Sequence, residues 1–256
     1  MYSKAPYKQV LTHGFTVDAD GKKMSKSLGN VVAPGTVIKR FGAEILRLWV
    51  TATDYRDDIR ISDHILQQLT DAYRKIRNTC RFILGNCSDF DPRADAVAYD
   101  QMTELDRFAL HTLNRLIDRC RQSYEAYEFH GVYHALYNYC TVDLSSFYLD
   151  ILKDRLYTSP PASLARRSAQ TVLHAILDAM VKMMAPIMVF TAEEIWRYLP
   201  ANRDGATSIH NELFPQVNPG WTDGVLAKKW DQILAVREEV AKALEIARAE
   251  KKIGHP

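Results

Sequence analysis

From Asp63 to Lys252 the apolar residues recur at spacings of three and four, and this rhythm restricts the possible folds more than any other feature. Ile65, Leu69, Ala72, Tyr73, Ile76, Cys80 and Ile83 line one face of a helix predicted over 64–84, with Gly85-Asn86 as its stop. Ala109, Leu113, Leu116, Ile117, Cys120, Tyr124 and Tyr127 line a second over 106–127. Gly131 reads as a break, after which a third helix spans 132–156, ended by Thr158-Ser159-Pro160-Pro161. A fourth covers 162–185 and stops at Pro186. Thr191-Ala192-Glu193-Glu194 has capping-box spacing and predicts a short helix to Tyr198. A last, long helix over 225–252 would turn Leu226, Trp230, Ile233, Val240, Leu244 and Ala247 inward. Five or more helices with short connections predict a mainly α fold built as an antiparallel helical bundle.

The first 62 residues read differently. Lys8 to Val17 is a short apolar run suited to a strand or two, and Asp18 to Asn30 is a polar loop opened by an Asp20-Gly21 turn. Pro34-Gly35-Thr36 punctuates, Phe41 to Ala52 reads as a buried apolar helix, and Asp54 to Ser62 is a charged connector. We therefore divide the 256 residues into 1–62, a short α/β segment, and 63–256, the bundle. Composition agrees with a globular chain: 47% hydrophobic, 25% charged, and 33 Lys+Arg against 31 Asp+Glu for a net charge of +2. No run of about 18 apolar residues is present to span a membrane, and the first ten residues lack the apolar core of a secretory signal. Four dispersed cysteines (Cys80, Cys87, Cys120 and Cys140) predict buried reduced thiols and a cytoplasmic setting. His130 and His134 lie four apart on one helix but lack a third ligand, so no metal site is expected.

The chemistry concentrates in Gly21 to Asn30, GKKMSKSLGN. Lys23 and Lys26 sit three apart in a Ser-rich loop flanked by glycines, where two ammonium groups with backbone N–H groups and the Ser25 and Ser27 hydroxyls could clamp phosphate oxygens. The segment does not fit the Walker A spacing, and no G-x-G-x-x-G occurs. On residue types alone, a merely solvated lysine loop is the competing reading.

Lys23-Met24-Ser25-Lys26-Ser27 resembles the KMSKS motif of class I aminoacyl-tRNA synthetases. The flanks Val10-Leu11-Thr12-His13-Gly14-Phe15 and Leu28-Gly29-Asn30-Val31-Val32 are similar to the subclass for branched aliphatic amino acids. Asp54 to Ser62, Ala72 to Thr79 and Leu149 to Gln170 resemble the isoleucine-specific branch, with the valine-specific branch as the alternative. The resemblance implies that residues 1–62 are the end of a Rossmann-like catalytic domain with its stem-contact region, and that 63–256 are an α-helical anticodon-binding domain. It implies a ligase that uses ATP with Mg2+ to form an aminoacyl-adenylate and then charges tRNA(Ile). Lys26 would stabilise the triphosphate, Lys23 would assist, Met24 would sit by the adenine, and Ser25 and Ser27 would hold the loop. No HIGH-type motif occurs, and the amino-acid pocket and editing domain of such enzymes lie upstream of KMSKS. The chain, ending abruptly at Lys252-Ile253-Gly254-His255-Pro256, is expected to be a piece of a longer monomeric polypeptide, inactive alone and partnered by the rest of that polypeptide. The zinc site of bacterial members would lie beyond it.

For tRNA contact the basic candidates are Arg74, Lys75, Arg77 and Arg81 on the first helix and Arg115 and Arg119 on the second. Arg121 and the Arg166-Arg167 pair join them as lesser candidates, against the competing reading that such arginines pair with carboxylates or stay solvated. Tyr124, Tyr127, Tyr133, Tyr137 and Tyr139 are expected to pack rather than stack on bases. A tRNA-binding module without catalysis and a helical protein scaffold are the other two functions this pattern allows.

Overall fold

The computed structural model describes residues 4–200 and 207–254. Two short strands, β1 (Thr16–Val17) and β2 (Ile59–Arg60), pair in parallel, with Thr16 opposite Ile59 and Val17 opposite Arg60. Parallel pairing requires a crossover, and here it consists of the lysine loop followed by α1 (Pro34–Phe41) and α2 (Ala43–Ala52). The predicted strand over 8–17 is thus reduced to its last two residues. Pro34, expected as punctuation, instead opens α1, where its fixed φ and missing N–H suit a first helical turn. Gly42, at φ 91°, lets α1 give way to α2.

The bundle follows as α3 (Asp63–Asn86), α4 (Glu104–Glu125), α5 (Phe129–Asn138), α6 (Leu149–Thr158), α7 (Leu164–Met184), α8 (Val189–Tyr198) and α9 (Gly224–Ala249). Ser62, Thr103, Ser163 and Asp223 cap α3, α4, α7 and α9 by accepting a hydrogen bond from a first-turn N–H. α7 is the centre. Ala169, Val172, Leu173, Ile176, Leu177, Met180, Val181, Met183 and Met184 are all completely buried, more than one helical stripe can hold. It packs against α3, α4, α6 and α8 at once. The same core takes in Val37, Ile45, Leu48, Trp49 and Ile61, so the first segment is welded to the bundle by burial.

Polar contacts reinforce that weld. The buried Glu44 carboxylate on α2 accepts from the backbone N–H of Phe190 (2.7 Å) and Thr191 (3.1 Å) and from the Thr191 hydroxyl. Arg47 donates to the carbonyls of Ile187 (2.9 Å) and Pro186 (2.6 Å). Thr191 is therefore no helix cap: α8 starts two residues earlier, and its open N–H groups are satisfied by a residue 147 positions away.

Two further departures have clear causes. Gly131 lies inside α5 because a Cβ there would meet Ser123 Oγ at 2.6 Å, so it permits close approach of α5 to α4. α5 and α6 form the one rod expected over 132–156, but they are joined through a ten-residue π-helical segment, Tyr139–Tyr148. Its wider turn brings Tyr139, Leu144 and Tyr148, spaced five and four apart, onto the buried side. α9 behaves as predicted only at its start. Leu226 is buried and Trp230 stacks on Phe108 at 5.2 Å, but Val236, Val240, Leu244 and Ile246 are exposed. All four cysteines are buried free thiols, and burial pushes Cys80 and Cys120 up to about 12. No described helix is long and apolar enough to cross a membrane.

Candidate functional site

The lysine loop is built on polar contacts rather than a core. Asp18 Oδ1 accepts from the N–H groups of Asp20 (3.0 Å) and Lys22 (2.8 Å), which folds the chain over Gly21 at φ 82°. Its other oxygen accepts from Asn30 Nδ2 at 2.8 Å. Asn30 also donates to the Lys23 carbonyl (3.2 Å) and accepts from the Ser25 N–H (2.9 Å). One carboxylate and one amide, twelve positions apart, thus tie both ends of the motif together. The Asn30 amide, followed by the Lys22 N–H, holds the Asp18 carboxyl below the usual carboxylate range. Ser25 Oγ lies 3.1 Å from Ser27 Oγ and accepts from the Leu28 N–H, which closes the turn that Gly29 completes at φ 67°.

On this frame the two lysines are left free. Lys22 lies 3.8 Å from Asp20, whereas Lys23 and Lys26 are exposed and have no ion-pair or side-chain hydrogen-bond partner among the described residues. Two uncompensated ammonium groups on a preorganised loop are suited to a polyanion. Met24 is turned toward the protein: half-buried, its sulfur accepts from the Val32 N–H at 3.4 Å. Sequence reasoning missed Asp18 and Asn30, although an Asp two residues ahead of an Asp-Gly turn is a local signal for the former.

The six basic candidates of the bundle do not form one face. Arg74 pairs with Asp71 at 3.2 Å, and Lys75 donates to the Tyr137 hydroxyl at 3.0 Å on α5. Arg77 points to α8, where Glu194 lies 3.5 Å away, and Arg81 is exposed. Arg115 and Arg119, one turn apart on α4, are exposed and unpaired among the described residues. The α5–π–α6 rod has a cleft on each side. One, of about 520 Å³, is lined by Lys75, Asn78, Phe82, Thr141, Ser145 and Lys153. The other, of about 370 Å³, is lined by Arg115, Asp118, Arg119, Asn138, Tyr139 and Asp143. The lesser candidates are engaged internally. Arg166 forks onto Asp89, Arg167 reaches Asp89 and Asp95, and Arg121 donates to the Pro215 carbonyl. Of the tyrosines, Tyr133 and Tyr139 are buried as expected, whereas Tyr127 is 38% exposed. Among the described residues no three His, Cys, Asp or Glu side chains converge as a metal site.

Comparison with known proteins gives these features a setting. The family described as "Anticodon-binding domain of tRNA ligase" matches residues 106–256, and "tRNA synthetases class I (I, L, M and V)" matches residues 1–62. The chain is 60% identical over 250 residues to the isoleucine–tRNA ligase of Syntrophotalea carbinolica, covering 98% of this chain and 27% of that protein. It is 57% identical over 251 residues to that of Geobacter sulfurreducens, with the same coverage of 98% and 27%. The chain thus spans about a quarter of the length of these curated relatives. Among solved structures it is similar in fold to the LeuRS of Agrobacterium radiobacter K84, crystallised in a ternary complex with tRNA and LeuAMS. The TM-score is 0.64 at 22% identity, covering 82% of this chain and 24% of that one.

Proposed function

The chain belongs to the class I aminoacyl-tRNA synthetases, and from that premise we propose that it works as part of an isoleucine–tRNA ligase, supplying the ATP-clamping loop and the tRNA-binding bundle. The observation that carries this is the pair of unpaired lysines, Lys23 and Lys26, presented by the Asp18–Asn30 frame. The whole enzyme would join isoleucine to ATP as isoleucyl-adenylate with release of pyrophosphate, and then esterify tRNA(Ile). Charge on the triphosphate grows as the α–β bond breaks, and fixed cations that need no reorganisation lower the energy of that state. Lys26 sits within the turn and acts on the departing pyrophosphate, Lys23 supports it, and Ser25 and Ser27 keep the turn closed. Mg2+ would arrive with the triphosphate as part of the substrate.

The division at Ser62 keeps its functional sense in this reading: the first part delivers chemistry and the second holds RNA. The weld through Glu44 and Arg47 fixes their relative position, which supports a single working unit. A cytoplasmic, monomeric enzyme is the corresponding setting. The experiment is amino-acid-dependent pyrophosphate exchange by the complete polypeptide with isoleucine, valine and leucine. We expect isoleucine to be preferred over valine and leucine, the difference from valine being limited to what one methylene permits. A preference for valine or leucine would overturn the assignment.

A further inference from the structure

The Asp18–Asn30 frame gives the lysine loop its shape, but the loop's place relative to the bundle is fixed by other contacts. The loop hangs from β1, and β1 is held by the connector of residues 54–61. The Gly14 N–H donates to the Tyr55 carbonyl (2.8 Å), and the Phe15 N–H to Asp58 Oδ1 (2.7 Å). In return the N–H groups of Ile59 and Ile61 donate to the carbonyls of Phe15 (2.8 Å) and Val17 (3.1 Å). The approach is so close that a Cβ on residue 14 would overlap the Asp57 carbonyl, which requires the glycine. Val17 bridges to Lys23, so a displacement of residues 14–17 passes directly into the motif. The other end of the connector grips the bundle. The Tyr55 ring stacks on Phe129 of α5 at 5.7 Å, and its hydroxyl donates to the Tyr127 carbonyl at 2.9 Å. Arg56, paired with Asp54 at 2.7 Å, lies 3.7 Å from Glu128. Tyr127 has φ 57°, a left-handed conformation that a bulky residue rarely adopts and that persists where its surroundings impose it. Behind β2 the buried Trp49 donates Nε1–H to the Arg60 carbonyl at 2.8 Å.

We propose that this connector is a strut that places the lysine loop, with Asp58 and Tyr55 as positioning residues for adenylate formation. Asp58 holds the stalk of the loop at Phe15, and Tyr55 anchors the strut on the turn between α4 and α5. Both act through Lys23 and Lys26 rather than on the triphosphate. Fixed cations lower a barrier only where the charge develops, and a misplacement of an ångström forfeits much of the gain. A loop of the right shape in the wrong place would therefore be slow. The assignment rests on the function proposed above for the loop. The competing role for the same contacts is folding alone, and the two differ in what they do to the rate of a fully folded enzyme.

The test is amino-acid-dependent pyrophosphate exchange by the complete polypeptide, read as kcat and as KM for ATP, with Tm measured alongside. Asp58→Ala should lower kcat about fivefold, the scale of one hydrogen bond with which water competes. KM for ATP should change by less than about twofold, because the lysines act on charge that grows in the transition state. Asp58→Asn keeps an accepting oxygen and should recover most of the rate. Tyr55→Phe keeps the ring on Phe129, loses the bond to Tyr127, and should cost about threefold in kcat. Tm should stay within about 2 °C in all three. The decisive readout is non-additivity. In an enzyme already carrying Lys26→Ala, Asp58→Ala should cost less than about twofold, because placing a loop without its lysine gains little. A full fivefold loss in that background, a wild-type kcat for Asp58→Ala, or an Asp58→Asn variant as slow as Asp58→Ala overturns the strut and leaves the role of Lys26 standing. A wild-type kcat for Tyr55→Phe overturns the anchoring on the bundle. If Lys26→Ala itself exchanges at the wild-type rate, the function proposed for the loop fails and the strut falls with it. The series reads the loop with whichever amino acid the enzyme prefers, so a wrong substrate assignment leaves the test intact.

Discussion

The lysine loop and helix α7 mark the two extremes of how this chain holds its shape. α7 contributes nine completely buried apolar side chains and is packed by four other helices. The loop from Asp18 to Asn30 buries almost nothing and is fixed by one carboxylate, one amide and two hydroxyls. The contrast is functional. A core derives its stability from area and resists change through packing density. On the proposed function the loop must expose charge to a polyanion and cannot be buried, so its order comes from directed hydrogen bonds among its own side chains and backbone. Stability and chemistry are thereby separable by mutation.

The largest break in that comparison should come from the core. Leu173→Ala, at a site with no exposure, should cost about 2–5 kcal/mol. At roughly 2–4 °C per kcal/mol this is a fall in Tm of about 5–20 °C by calorimetry. A buried ion pair should follow closely. Asp106, with no exposure, accepts from Arg155 (2.9 and 3.0 Å), Tyr148 (2.8 Å) and Ser168 (2.5 Å). Asp106→Ala strands those donors and should cost about 3–5 kcal/mol, read by denaturant midpoint. Asn30→Ala should leave Tm within about 2 °C while lowering adenylate formation in the complete enzyme about tenfold, because the three hydrogen bonds that hold the loop in shape are lost. A drop in Tm comparable to that of Leu173→Ala would erase the distinction between loop and core.

The smallest effect concerns acid. The Arg166 guanidinium beside Asp89, helped by Gln170, holds its carboxyl at about 2 instead of 3.8. Because the folded-state value is depressed, its stabilisation is present above about pH 4 and fades as pH falls from there toward 2. Asp89→Asn should flatten the Tm profile in that window and leave it unchanged in shape near neutrality. Asp89 is more than a third exposed, so screening keeps the effect modest.

How much of this was legible in the sequence follows from the range of the interactions. The KMSKS lysines are local in the chain and could be read directly, as could the helices whose apolar stripes are packed. Periodicity cannot say whether a stripe finds a partner, and so Val240 and Leu244 look identical in sequence to the buried Leu226. The Thr191 motif matched a cap on spacing, yet its hydroxyl and N–H belong to Glu44. The Asp18–Asn30 tie and the separation of Lys75 from Arg115 by the π-helical rod depend on contacts 12 or more positions apart, which no window of sequence contains.

The central claim is that Lys26 is free in the loop so that it can act on the triphosphate. Isoleucine-dependent pyrophosphate exchange by the complete polypeptide carrying Lys26→Ala tests it most directly. A drop on the order of 100-fold in rate with Tm unchanged is expected when one preorganised charge is removed from the transition state. Exchange near the wild-type rate would contradict the account.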